Sequence, residues 1–167
     1  PFMLLSLISV GHIMSAQQYT FIDYNIKQGL PQSQVRSIMQ DSHGYIWAGT
    51  LNGLSRFDGR SFTNYDRRNG LLNNQINCIT EYKEGAVVAG SNGSFAMING
   101  LGVTGFALPE GLMESTINVI FCDGDEIWVG SENGLLIFNA ASKNFVAVQD
   151  ELISLSQLHI KAFLKRS

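Results

Sequence analysis

The sequence predicts an all-β fold, a partial β-propeller, from three observations. Five landmarks recur three times at spacings near 41 residues. The segments between them are short runs of apolar and β-branched residues, and glycine, asparagine and aspartate separate the runs. Four short strands in a repeated unit of about 40–45 residues are the sequence mark of a propeller blade. A twisted four-stranded sheet cannot bury both faces by itself, whereas sheets stacked face to face around an axis can.

In chain order, residues 1–22 hold no Asp, Glu, Lys or Arg, and residues 2–13 form a largely apolar run broken by Gly11 and His12. That run is shorter than the roughly 20 residues a bilayer span needs and suits the apolar region of a secretory signal. Residues 1–16 are expected to be a signal peptide truncated at its start, cut after Ser15-Ala16, with Pro1 where Met would stand. Residues 17–28 are expected to be a leading outer strand, because Phe21 and Tyr24 precede Phe62 and Tyr65 by 41 residues. A lone outer strand would complete the last blade of a closed ring and remove a free edge.

Three complete four-stranded blades follow: residues 29–69, 70–110 and 111–150. Gly29-Leu30, Gly70-Leu71 and Gly111-Leu112 open them, and Val35/Ile38, Ile76/Ile79 and Ile117/Ile120 mark each first strand. The second strands read Ile46-Trp47-Ala48-Gly49-Thr50, Val87-Val88-Ala89-Gly90-Ser91 and Ile127-Trp128-Val129-Gly130-Ser131. Each leads into Asn-Gly, as Asn52-Gly53, Asn92-Gly93 and Asn133-Gly134, a pair that tolerates positive φ and is favoured in two-residue hairpin turns. In the first blade the strands are expected near 35–40, 45–50, 54–58 and 61–65. Trp47 and Trp128 share one repeat position and are read as packing between blades rather than stacking on a ligand. Residues 151–167 restart the first-strand pattern at Ile160 and Phe163, the start of a fourth blade.

The remaining features exclude more than they assign. The chain has 167 residues, 45% hydrophobic and 15% charged, with a net charge of −3, which is a globular composition without the basic excess that nucleic acid requires. Gly100 to Gly105 matches G-x-G-x-x-G, but the match falls on a turn and strand, with no helix to receive a phosphate. His12, His43 and His159 have no metal-ligand spacing. Asp41, Asp58, Asp123 and Asp125 are read as turn caps rather than Ca²⁺ ligands. Cys78 and Cys122 are offset by three residues in equivalent strands, about 10 Å, and are expected to be free buried thiols. No catalytic residue, metal or cofactor is expected.

Residues 29–71 closely resemble the two-component regulator propeller repeat. The resemblance rests on the Asp41-to-Gly44 turn, Ile46 to Thr50, Asn52-Gly53-Leu54 and Phe57-Asp58-Gly59. The third repeat keeps Ile127-Trp128-Val129-Gly130 and Asn133-Gly134-Leu135. The second departs, with Val88 at the Trp position and Ser94 after Asn92-Gly93. The resemblance implies the periplasmic sensor region of a membrane-anchored, dimeric histidine kinase, often a hybrid kinase, with an oligosaccharide as ligand. The loops after second and fourth strands share one face of the ring and carry Asn73, Asn74, Gln75, Glu114 and Thr116, the candidate ligand contacts. Two other classes compete: an exported propeller lyase or hydrolase, and a protein-interaction module. The first of these needs acid and base groups converging on the axis.

Overall fold

The computed structural model describes residues 21–100, 102–146 and 160–163; the expected signal peptide lies outside them. Among the described residues, twelve strands form three antiparallel four-stranded sheets, each with its strands in sequence order. Blade 1 holds β1 (Val35–Gln40), β2 (Ile46–Thr50), β3 (Gly53–Phe57) and β4 (Phe62–Tyr65). Blade 2 holds β5 (Cys78–Lys83), β6 (Ala86–Gly90), β7 (Ser94–Asn99) and β8 (Gly102–Ala107). Blade 3 holds β9 (Ile117–Asp123), β10 (Glu126–Ser131), β11 (Gly134–Asn139) and β12 (Asn144–Val146). The first strands are the inner ones: β5 lies against both β1 and β9, so the sheets fan from a common hub.

The period-2 alternation of a strand explains how the blades stack. In β6, Val87 faces blade 1 and its neighbour Val88 faces blade 3, and both are fully buried. The first interface gathers Trp47 and Leu54 from blade 1 with Val87, Ala89, Ala96 and Ile98 from blade 2. The second gathers Val88 and Phe95 from blade 2 with Ile117, Ile127, Val129 and Phe138 from blade 3. Each Å² of apolar area buried in these two interfaces stabilises the stack by about 25 cal/mol.

A three-part device joins each blade to the next. The isoleucine that opens a blade donates its N–H to the carbonyl ending the previous blade's second strand: Ile76 to Thr50 at 2.9 Å, Ile117 to Ser91 at 3.2 Å, Ile160 to Ser131 at 2.9 Å. The residue before that carbonyl is always glycine, because the isoleucine lies over it. A Cβ on Gly49, Gly90 or Gly130 would stand 2.7, 2.8 or 2.6 Å from Cγ2 of Ile76, Ile117 or Ile160. The buried hydroxyls of Thr50, Ser91 and Ser131 then donate to the carbonyls of Gly53, Ser94 and Gly134 at 2.8, 2.7 and 3.0 Å, closing each hairpin. Ile160 thus occupies the place of Ile76 and Ile117 at the start of a fourth blade.

One expectation needs correction. Asn-Gly fills the two-residue turn only in blade 2, where Ser91 and Ser94 flank Asn92-Gly93 and Gly93 has φ +69°. In blades 1 and 3, Thr50 pairs with Gly53 and Ser131 with Gly134, so the turn pairs are Leu51-Asn52 and Glu132-Asn133. This one-residue offset places Phe95, not Ser94, opposite Gly90, as Leu54 stands opposite Gly49. Phe95 stacks with Phe106 at 5.2 Å and meets Phe138 at 5.0 Å, supplying the ring volume that Val88 lacks. Residues 21–25, within the expected leading outer strand, are unpaired among the described residues. A strand exists only by pairing, and the three sheets already hold four strands each. Tyr24 instead packs its ring on Phe57 at 4.8 Å and on Phe62 at 5.9 Å.

Both thiols are free. Burial raises Cys78 and Cys122 to about 12, which keeps them protonated and unreactive.

Candidate functional site

The linkers between blades and the hairpins joining second to third strands share one end of the sheets. The segment leading into blade 1 and the linker between blades 1 and 2 begin with the same local device. Asn25 and Asp66 cap short 3₁₀ turns, Ile26–Gln28 and Arg67–Asn69, through reciprocal capping boxes, and Gly29 and Gly70 end them in the left-handed region. Asp66 is held below the usual carboxylate range by the Arg68 side chain, which bonds it at 2.5 Å, and by the Arg68 N–H. The turn sends residues 71–77 back across the blade end toward the hub.

There the amides form a network. Asn77 Nδ2 donates to Asn92 Oδ1 at 2.9 Å, and Asn92 Nδ2 donates to Gln75 Oε1 at 2.9 Å. Asn73 Nδ2 donates to the Asn92 carbonyl at 3.2 Å while Asn73 Oδ1 accepts from the Gln75 N–H. Asn74 Oδ1 accepts from the Arg67 N–H at 2.9 Å, and the Asn74 carbonyl accepts from Gly53 N–H at 2.7 Å. Arg36, on β1, reaches across the hub to Asn77 Oδ1 at 2.6 Å.

Asn73, Asn74 and Gln75 are therefore brought together, with much of their hydrogen-bonding capacity directed to neighbouring loops. Glu114 and Thr116 occupy the same repeat positions one blade on: Glu114 is exposed, and Thr116 bridges to Asn92. Sequence reasoning missed Arg36 and Asn77 as members of this surface, and took Asn92 as a hairpin residue on it rather than a contact. One signal was available, since Arg36, Asn77 and Asn118 lie 41 residues apart. Asn118 Nδ2 donates to the Ile160 carbonyl at 3.1 Å, so that hub position is polar in all three blades.

The surface can bind through amide donors and acceptors, with one guanidinium beside them. Among the described residues, no group of three His, Cys, Asp or Glu side chains is placed to hold a metal. His43 is at the opposite strand ends, in the turn where the Asp41 carboxylate accepts from the N–H groups of His43 and Tyr45 and from Trp47 Nε1 at 2.7 Å. No helix among the described residues is long and apolar enough to cross a membrane.

Residues 29–52 match the family model described as the two component regulator propeller, so the first blade carries that repeat. A 59-residue stretch is 36% identical to histidine kinase P4 of Formosa agariphila, covering 35% of this chain and 4% of that protein. The fold matches extracellular domains assigned to BT4673 of B. thetaiotaomicron, named once as a hybrid two component system and once as a one component system. Their TM-scores are 0.67 and 0.64 at 20% identity, over 80% and 75% of this chain and 18% of each domain. A catalytically inactive virginiamycin B lyase from Staphylococcus aureus, solved with quinupristin, matches at TM-score 0.56 and 20% identity over 71% of this chain and 42% of the lyase. The chain thus spans a small part of the relatives named for signalling, and the likeness to solved structures is one of fold.

Proposed function

We propose that this chain is part of the ligand-sensing propeller of an exported two-component sensor, a histidine kinase of hybrid type, and that its ligand is a carbohydrate. The observation that carries the reading is the two component regulator propeller repeat over residues 29–52, supported by the matching stretch of a histidine kinase. The apolar run of residues 2–13 and the extracellular origin of the BT4673 domains support export to the periplasmic side of the membrane. In this reading the chain binds and does not catalyse. Catalysis belongs to kinase domains elsewhere in a membrane-anchored, dimeric parent.

The amide-lined surface around Asn73, Gln75, Asn77 and Asn92 suits a hydroxyl-rich ligand, because each amide offers both donors and acceptors. A ligand that binds one arrangement of the sensor dimer better than another shifts the dimer toward it, by no more than that difference in affinity. The test is a thermal-shift screen of the complete ring against plant and host oligosaccharides, repeated with Asn77→Ala. A saturable rise in Tm that the substitution removes is the expected result. No shift with any oligosaccharide overturns the carbohydrate assignment. Signalling is checked separately, by ligand-dependent autophosphorylation of the parent.

A further inference from the structure

The repeat breaks its own pattern at one interface position. Arg56 pairs with Trp47 across β2 and β3, on the face of blade 1 that packs toward blade 2. The corresponding partners of Val88 and Trp128 are Met97 and Ile137. A guanidinium thus points into a blade interface where the other two sheets place an apolar side chain, against the usual distribution of charge. It lies 4.6 Å from the Tyr45 ring centroid and 5.9 Å from that of Trp47. Its Nε is buried and meets no acceptor. Buried donors normally find a partner, so an orphan of this kind calls for a cause.

The guanidinium borders a cavity of about 420 Å³ between blades 1 and 2. Tyr45, Trp47 and Arg56 line it from blade 1; Gly85, Ala86 and Asn99 line it from blade 2. Ala86 stands 41 residues after Tyr45, and that change from ring to methyl helps leave the space open. The nearby carboxylates do not pair with Arg56. Both oxygens of Asp41 are engaged, by Trp47 Nε1 and by two backbone N–H groups. Glu84 stands exposed at the rim. Arg68–Asp66 and Lys83–Asp125 pair elsewhere among the described residues.

We propose that this cavity binds a small organic acid, whose carboxylate accepts from the guanidinium of Arg56 that borders it. The body of the acid lies between the Tyr45 and Trp47 walls. The volume falls within the range of small-molecule sites and fits a ligand of about monosaccharide size. The cavity opens at the strand ends opposite the amide surface, so this site stands or falls independently of the carbohydrate reading.

Trp47 forms part of the wall, so its fluorescence reports occupancy. The full chain with Trp128→Phe would be titrated with acetate, benzoate and gluconate, and with sorbitol as the uncharged match of gluconate. At least one acid is expected to change Trp47 emission saturably, and sorbitol is not. Raising salt from about 0.05 to about 0.5 M should weaken the binding, as it screens the charge pair. Arg56→Met restores the repeat's own residue and is expected to unfold at the same temperature or higher. It should weaken binding at least tenfold, with Arg56→Lys between the two. No saturable response to any acid, an equal response to sorbitol, or undiminished affinity in Arg56→Met overturns the proposal. Should Arg56→Met fail to fold, the salt dependence and the sorbitol control still decide it.

Discussion

Blade 2 and blade 1 are built from the same pattern but differ in what covers them. Blade 2 has both faces buried: Val87 and Ala89 lie against blade 1, Val88 and Phe95 against blade 3. Blade 1 buries only its rear. Its front presents Ile38, Ile46 and Ala48, the repeat equivalents of Ile79, Val87 and Ala89, in an apolar groove of about 290 Å³ that Tyr24 and Leu30 border. Ile38 is 72% exposed, whereas Ile120, at the same position in blade 3, is 7% exposed. The sequence of a blade therefore encodes a face that expects a neighbour, whether or not one is present. A repeat protein draws its stability from such nearest-neighbour interfaces, so an interface residue matters only where the neighbour sits.

The largest test of that contrast compares the tryptophans. Trp47→Ala empties the blade 1–blade 2 interface and removes the Asp41 hydrogen bond. It is expected to cost about 3–5 kcal/mol by urea unfolding. Trp128→Ala, at a half-buried ring bonded to Glu126, should cost less than half as much. Next comes the isoleucine pair. Ile120→Ser should cost about 3 kcal/mol, while Ile38→Ser stays within about 0.5 kcal/mol and improves solubility. Equal losses at the two positions would mean that the blade 1 front is covered in solution. A smaller effect separates the glycines. Gly90→Ala drives a methyl into Ile117 and Ile120 and should cost about 1–3 kcal/mol, whereas Gly100→Ala meets open space and should be neutral in the same assay.

The smallest effect is electrostatic. Glu81 is held below the usual carboxylate range by the Ser42 hydroxyl, then by the N–H groups of Gly85 and Ser42, and so ties blade 2 to blade 1. Asp125 is lowered by Lys83, 2.6 Å away, and ties blade 3 to blade 2. A carboxylate whose folded pKa is depressed adds stability above its unfolded pKa, and that stability is lost as pH falls below about 4. Solvent screening limits Glu81 to a few tenths of a kcal/mol. A urea midpoint measured from pH 7 to 3 should fall at the acid end, and fall less in Glu81→Gln.

Strand positions, blade order and the interface role of Trp47 were legible because they depend on period and on turn residues, both local. The shift of bulk from the second strand to Phe95 was not, because Asn-Gly sits one residue out of step in blade 2 while the hairpin closes as in the other two blades. The link from Arg36 through Asn77 to Asn92 and Gln75 joins positions far apart in the chain, and side-chain direction decides which amides meet. Arg56 reads as an ordinary charged strand residue until its pairing with Trp47 places it on the interface side. Residues 21–25 carry the pattern of a fourth strand, yet pattern alone does not supply a pairing partner.

Amide hydrogen exchange at Ile76 and Ile117 tests the stacking of the blades most directly. Each of these N–H groups bonds across an interface rather than within a sheet. Protection equal to that of the β6 and β10 ladders is the predicted result. Exchange at the rate of an open chain, with the ladders still protected, would show three separate sheets and contradict the shared hub.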